Sequence, residues 1–137
     1  MRFLLDTDTC VFWLRGHSLL RDRMTRVLED NGAAEIALSV VTLAELRYGA
    51  AYSSRPTENH QAIDDFVSAL MILTLTPETA KVFGEIKADL RTRGLLIEDL
   101  DLLIAATARA YDLTLVTNNQ SHFSRVPGLR LENWVQT

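Results

Sequence analysis

Asp6 and Asp8 stand one residue apart in FLLDTDTCVFW, where one apolar segment ends and another begins. Glu45 follows in SVVTLAELRYGA, and Asp101, two residues after Asp99, in EDLDLLIAATARAY. Carboxylates brought together from distant positions suit a hard divalent cation such as Mg²⁺ or Mn²⁺, which takes carboxylate oxygens and water. Such an ion acts as a Lewis acid, generating hydroxide from bound water and offsetting negative charge that develops beside it. Carboxylates about 4 Å apart repel by roughly 4 kcal/mol per pair at an effective dielectric near 20. Three of them in one place therefore require an intervening cation or proton.

Each acid also has a structural reading. Glu45 lies in TLAE, which fits a T-x-x-E capping box with Thr42 as the cap. Asp101 can cap its own helix, with Asp99 as the alternative. A cap after the first apolar segment needs one acid, Asp8, and leaves Asp6 unexplained between Leu4, Leu5 and the apolar run after Cys10. A partly buried carboxylate there is costly unless compensated. A further reading makes Asp6 a phosphoryl nucleophile and Asp8 an acid/base, as in haloacid-dehalogenase-like phosphatases, whose first strand ends D-x-D. That match stops at the opening motif: Asp101 runs into the helical LLIAATARAY, no lysine follows a strand shortly before it, and the length leaves no room for a cap module.

The elements that position these acids alternate in type. RFLLD (2–6) reads as a strand, followed by helices at 9–15 and about 18–31, the second stopped by Asn31-Gly32. EIALSV (35–40) is a second strand, leading to helices through TLAELRYGAAY (42–52) and from about Glu58 to Leu70. MILTLT (71–76) is a third strand. Thr76 then caps a helix with Pro77 in its first position, and Phe83, Ile86 and Leu90 fall on one face. Residues 101–111 form another helix, LTLVT (113–117) a fourth strand, Pro127-Gly128 a turn and LRLENW (129–134) a short last strand. This is the pattern of an α/β domain with a central, mostly parallel sheet of four to five strands flanked by helices. In such sheets the strand carboxyl ends meet in one crevice. Asp6 and Thr117-Asn118-Asn119 close strands on that edge, while Glu45 lies one or two turns into the helix after the second strand and Asp101 begins the helix leading to the fourth.

Composition narrows the function classes. The 137 residues suffice for one domain, 1–137, without linkers, repeats or low-complexity tracts. A single cysteine, Cys10, excludes a disulfide framework and a cysteine zinc site, and His17, His60 and His122 are too scattered for a histidine one. Cys10 reads as core filler, as do Trp13 and Trp134, and His122 as a surface or capping residue. No apolar run reaches the roughly 18 to 20 residues that span a bilayer, and no leader pattern opens the chain, so a cytoplasmic home is expected. A net charge of −4 argues against nonspecific coating of nucleic acid. It does not argue against a nucleic-acid enzyme, since Arg21, Arg23 and Arg26, or Lys87, Arg91 and Arg93, form local basic groups. Arg47 and Tyr48 are candidates for substrate or partner contact.

Taken in order, LLDTDTC, SVVTLAELRYGA, DLDLLIAATARAYDLTLVTNN and FSRVPGLRLENW resemble the PIN-domain family, most closely its VapC-type toxin ribonucleases, over almost the whole chain. The resemblance implies a single PIN-like domain and a metal-dependent endoribonuclease that acts as the toxin of a toxin–antitoxin pair. It places the Mg²⁺ or Mn²⁺ ligands at Asp6, Glu45 and Asp101, with Thr7, Asp8, Asp99, Thr117 and Asn119 in support. The family's usual DTN reads DTD here, so Asp8 is an added acid. Where a fourth acid is common, this chain has Asn119 and, three residues on, His122. That implies one tightly held ion, with a second recruited by substrate phosphate. RNA is the implied substrate, and an antitoxin and a second copy of the chain are the implied partners. A degenerate PIN-like module that binds without cleaving is the alternative, and the three retained acids argue against it.

Overall fold

Short apolar stretches bounded by polar residues form the strands of this chain, for which a computed structural model describes residues 1–32 and 35–136. In order these are β1 (Phe3–Leu5), α1 (Thr7–Leu14), α2 (Ser18–Asn31), β2 (Ile36–Ser39), α3 (Val40–Ala51) and α4 (Pro56–Val67). They continue with β3 (Met71–Leu73), α5 (Pro77–Thr92), α6 (Asp99–Ala110), β4 (Thr114–Val116), α7 (Gln120–Phe123) and β5 (Leu131–Glu132). Every residue of β1 and β2 is buried, the mark of strands covered on both faces.

The five strands form one sheet in the order β3-β2-β1-β4-β5, and every pairing is parallel. Leu5 pairs with Leu38 on one side and Val116 on the other. Side chains alternate between two cores with the period of two that a strand imposes. Leu4, Ala37 and Leu115 face the core filled by Ile86 and Leu90 of α5 and Leu102 and Ala105 of α6. Phe3, Leu5, Ile36 and Leu38 face the other, with Leu20 and Met24 of α2, Leu46 of α3, Phe66 of α4 and Trp134. Cys10 is fully buried in this second core, as expected of filler. Among the described residues no helix is long and apolar enough to cross a membrane.

The chain winds outward from β1 in both directions, so the order reverses between β1 and β4. A crevice opens there at the strand carboxyl ends. The residues that follow those two strands are Asp6 and Thr117.

Helix starts depart from expectation at three places, and orphan backbone N–H groups give the reason. Asp6, not Asp8, caps α1: its backbone is extended and its carboxylate accepts from Thr9 N at 2.8 Å. Ser39, not Thr42, caps α3, its Oγ accepting from Val41 N at 3.1 Å. β2 passes into α3 without a loop, so the last strand residue is the one that reaches an orphan donor, and the expected capping box does not form. At α6 neither Asp101 nor Asp99 caps. Glu98 holds that position without a side-chain bond, and the helix begins at Asp99, two residues before the expected start. Thr76 does cap α5, accepting from Thr79 N at 3.1 Å, with Pro77 following. Pro56 opens α4 in the same way, a signal absent from the expected helix at 58–70. The strands expected at 71–76 and 129–134 shorten to three and two residues at the sheet's edges.

Candidate active site

Four separate elements deliver the acids. Asp6 ends β1 and starts α1, Asp8 sits in the first turn of α1, Glu45 lies midway along α3, and Asp101 is in the first turn of α6. Together with Glu98 they place five carboxylates around a cleft of about 230 Å³, completed by Thr7, Asn119 and Phe123. No basic side chain lines it.

Two of the carboxylates are held by hydrogen bonds. Besides its capping contact, Asp6 takes a 2.5 Å bond from the hydroxyl of Thr117, across 111 residues of sequence. Thr117 Oγ1 in turn accepts from Asn119 N at 2.9 Å, and the Thr9 hydroxyl donates to Val116 O at 3.1 Å, tying α1 to the end of β4. Thr7 donates to Glu45 at 2.6 Å, with Thr42 Oγ1 at 3.2 Å from the same hydroxyl. Thr7 therefore couples α1 to α3.

Charge is the unresolved quantity of the cleft. Burial pushes the Asp6 carboxyl above its ordinary range; the bonds from Thr117 and Thr9 oppose this, and Asp8 adds to it. Asp101 is pushed up to about 6, first by burial and then by the charges of Glu45, Asp6, Asp8 and Glu98. A group raised by four like neighbours sits where a cation would be most favourable. The donor set is all hard oxygen, which suits Mg²⁺ or Mn²⁺ and offers nothing to a soft metal.

Among the described residues, no three His, Cys, Asp or Glu side chains converge closely enough as they stand to share one ion. Both Asp6 oxygens are engaged, and Glu45 is turned toward Thr7. Asp101 carries no such restraint. The cleft thus fits a divalent cation in donor type and charge, with Asp101 and Glu45 as the side chains that would turn inward.

Of the expected site residues, Asp6, Thr7, Asp8, Glu45, Asp101 and Asn119 line this one cleft, and Thr117 stands behind it on Asp6. Asp99 does not join them. It is exposed and bonded to Lys87 at 2.9 Å, because the two residues that separate it from Asp101 turn a helical side chain by about 200°. Glu98 and Phe123 were not anticipated; an acid three residues before Asp101, on the same face, is the signal that could have found Glu98. His122 is exposed and pairs with the Asn119 side chain at 2.9 Å. Arg47 is not available as a contact: it is bound to Asp64 and to His60. Tyr48 is exposed and stacks on Tyr52.

Fold and cleft define a class, a doubly wound α/β domain with a carboxylate-lined crevice at its switch point. Comparison with known proteins identifies it. The PIN domain family matches residues 3–129. The chain is 41% identical over 135 residues to Ribonuclease VapC2 of Haemophilus influenzae, covering 98% of this chain and 99% of the relative. It is 34% identical to the tRNA(fMet)-specific endonuclease VapC of Salmonella typhimurium, covering 98% of each. Among solved structures, VapBC2 from Rickettsia felis bound to a promoter DNA fragment superposes with a TM-score of 0.91 at 37% identity, over 98% of this chain and 99% of the other. The chain belongs to the PIN-domain family, in its VapC ribonuclease branch.

Proposed function

We propose that this protein is a Mg²⁺- or Mn²⁺-dependent endoribonuclease, the toxin of a toxin–antitoxin pair, in which Asp6, Glu45 and Asp101 hold the metal. One observation carries the reading: five carboxylates and no base line one cleft at the sheet's switch point. A bound ion would polarise the scissile phosphodiester, make water nucleophilic near neutral pH and offset charge on the leaving 3′ oxygen.

The chain's own residues prepare for this. Thr117 and the Thr9 N–H fix the Asp6 carboxylate in one orientation, as metal ligands require, and Thr7 holds Glu45 at the cleft wall, from which it would turn inward to reach an ion. Asp101, pushed up to about 6, is mostly ionised at neutral pH, and positive charge in the cleft would remove the remaining proton. Asp8 and Glu98 add negative field without a fixed partner in the cleft. Asn119 stands where it can orient water or a phosphate oxygen. The match to VapC ribonucleases over nearly the whole chain disfavours the phosphatase reading.

The same reading takes residues 1–137 as one domain, supported by the single sheet that unites all five strands. It takes the chain as a cytoplasmic homodimer held silent by an antitoxin; for the antitoxin partner, the solved VapBC2 complex of R. felis gives the analogy.

The test is cleavage by protein purified free of any partner. The Salmonella relative's name makes tRNA(fMet) the first RNA to offer. Cleavage with Mg²⁺ or Mn²⁺, its loss in EDTA and a loss of at least a hundredfold in Asp101→Asn are the expected results, since removing one group from a catalytic electrostatic site costs about 10²–10³ in rate. Metal-independent cleavage, or p-nitrophenyl phosphate hydrolysis that traps a phosphorylated Asp6, would place the chain in another enzyme class.

A further inference from the structure

Two further clefts adjoin the acidic one. One continues past Thr7 and Glu45 between α1, α3 and α4, with a volume near 380 Å³. The other, near 310 Å³, continues past Asp8 and Asn119 and is walled by Phe12 and Asn118. These clefts are open to a polynucleotide that binds across the carboxylates. Its flanking phosphates then lie beside five acids, where repulsion opposes binding unless a cation answers it.

Among the described residues Arg15 is the only basic one lining either cleft, and it lines both. It occupies the carboxyl end of α1, seven residues after Asp8 and so about 10 Å further along the helix axis. It is exposed, and among the described residues its guanidinium has neither an ion pair nor a hydrogen-bond acceptor. Among the same residues Arg26, Arg91 and Arg109 also lack such partners but line none of these clefts, while Arg21 is bound to the Trp13 carbonyl, Arg23 to the Asn133 carbonyl, Arg47 to Asp64 and Arg93 to Asp89.

We infer that Arg15 is the substrate-positioning residue of this site, binding a phosphate of the RNA strand next to the scissile one. This rests on the ribonuclease reading. The guanidinium is suited to the task, because its planar fork matches the geometry of phosphate oxygens. Position two turns from the acids keeps it from pairing with them when no RNA is bound. It acts on binding, not on bond breaking. A cation at a helix carboxyl end also favours the helix, but that role is read by thermal melts and not by the salt dependence of RNA cleavage.

The experiment follows kcat and KM for cleavage of tRNA(fMet) by wild type, Arg15→Gln, Arg15→Lys and Lys81→Gln over a range of KCl at fixed Mg²⁺. Lys81, exposed on α5 and outside all three clefts, controls for net charge. Arg15→Gln should raise KM with kcat nearly unchanged. Its slope of log(kcat/KM) against log[KCl] should be shallower by about 0.7 to 0.9, the contribution of one phosphate contact. Arg15→Lys should keep the wild-type slope, and so should Lys81→Gln. A wild-type slope in Arg15→Gln, or an equal change in Lys81→Gln, overturns the inference while leaving the nuclease intact. If wild type cleaves no RNA, the ribonuclease reading fails and this inference fails with it.

Discussion

The carboxylate of Asp6 accepts a backbone N–H on one oxygen and a threonine hydroxyl on the other, so helix cap and cleft wall are the same group. Stability separates the two contributions without knowledge of the substrate. Asn caps a helix about as well as Asp and carries no charge to be buried beside Asp8. Metal-free Asp6→Asn should therefore melt at or above the wild-type temperature. Mn²⁺ at a hundredfold excess over its dissociation constant should stabilise wild type by about 2.7 kcal/mol and the variant much less. Equal shifts in thermal melts would remove Asp6 from the ligand set. The lone thiol at Cys10 lies behind this residue, fully buried and pushed up by burial and by Asp6, and takes no part in the chemistry.

At the scale of elements, α3 matters because it carries Glu45, and its start is set by Ser39. Loss of that cap in Ser39→Ala should destabilise the protein by about 1 kcal/mol, within the usual range of 0.5–2, as read from the urea midpoint at constant slope. A Ser39→Ala protein that unfolds like wild type would mean that the orphan N–H groups of α3 find another acceptor. The TLAE pattern was legible as a capping box, yet the helix begins two residues before it. Capping patterns say which residues can cap, and the point where the preceding strand ends says which one does. The same one- or two-residue uncertainty at α6 decided between Asp99 and Glu98. Rotation of about 100° per residue sends the first to Lys87 and the second into the cleft.

For the whole molecule, convergence of acids from four elements makes proton binding part of stability. Asp101 is near 6 when folded and near its ordinary 3.8 when unfolded, so between those values the native state binds more protons. Stability linked to this group is then greatest at low pH, falls as pH rises from about 4 to 6, and stays lower above that. Urea unfolding in EDTA should show wild type losing stability relative to Asp101→Asn across this window, and Mn²⁺ at pH 7 should restore it. A constant difference between the two proteins from pH 4 to 7 would show that Asp101 is not crowded by Glu45, Asp6, Asp8 and Glu98.

Periodicity and punctuation in the sequence determined the element types, the α/β class, the cap at Thr76 and the acids Asp6, Glu45 and Asp101, because those signals act over one or two turns of chain. Asp6 and Asp8 after a buried strand were conspicuous since an uncompensated buried carboxylate is costly. Tertiary structure alone decided that Thr117 reaches Asp6, that Glu98 joins the cleft while Asp99 leaves it, and that Arg15 stands over both flanking clefts. These depend on β1 lying beside β4 and on the rotation at which each helix departs from the sheet. Neither is encoded in a local pattern: strand order follows from burying both faces of the whole sheet at once, and a single residue's shift in a helix start changes which side chain faces the crevice.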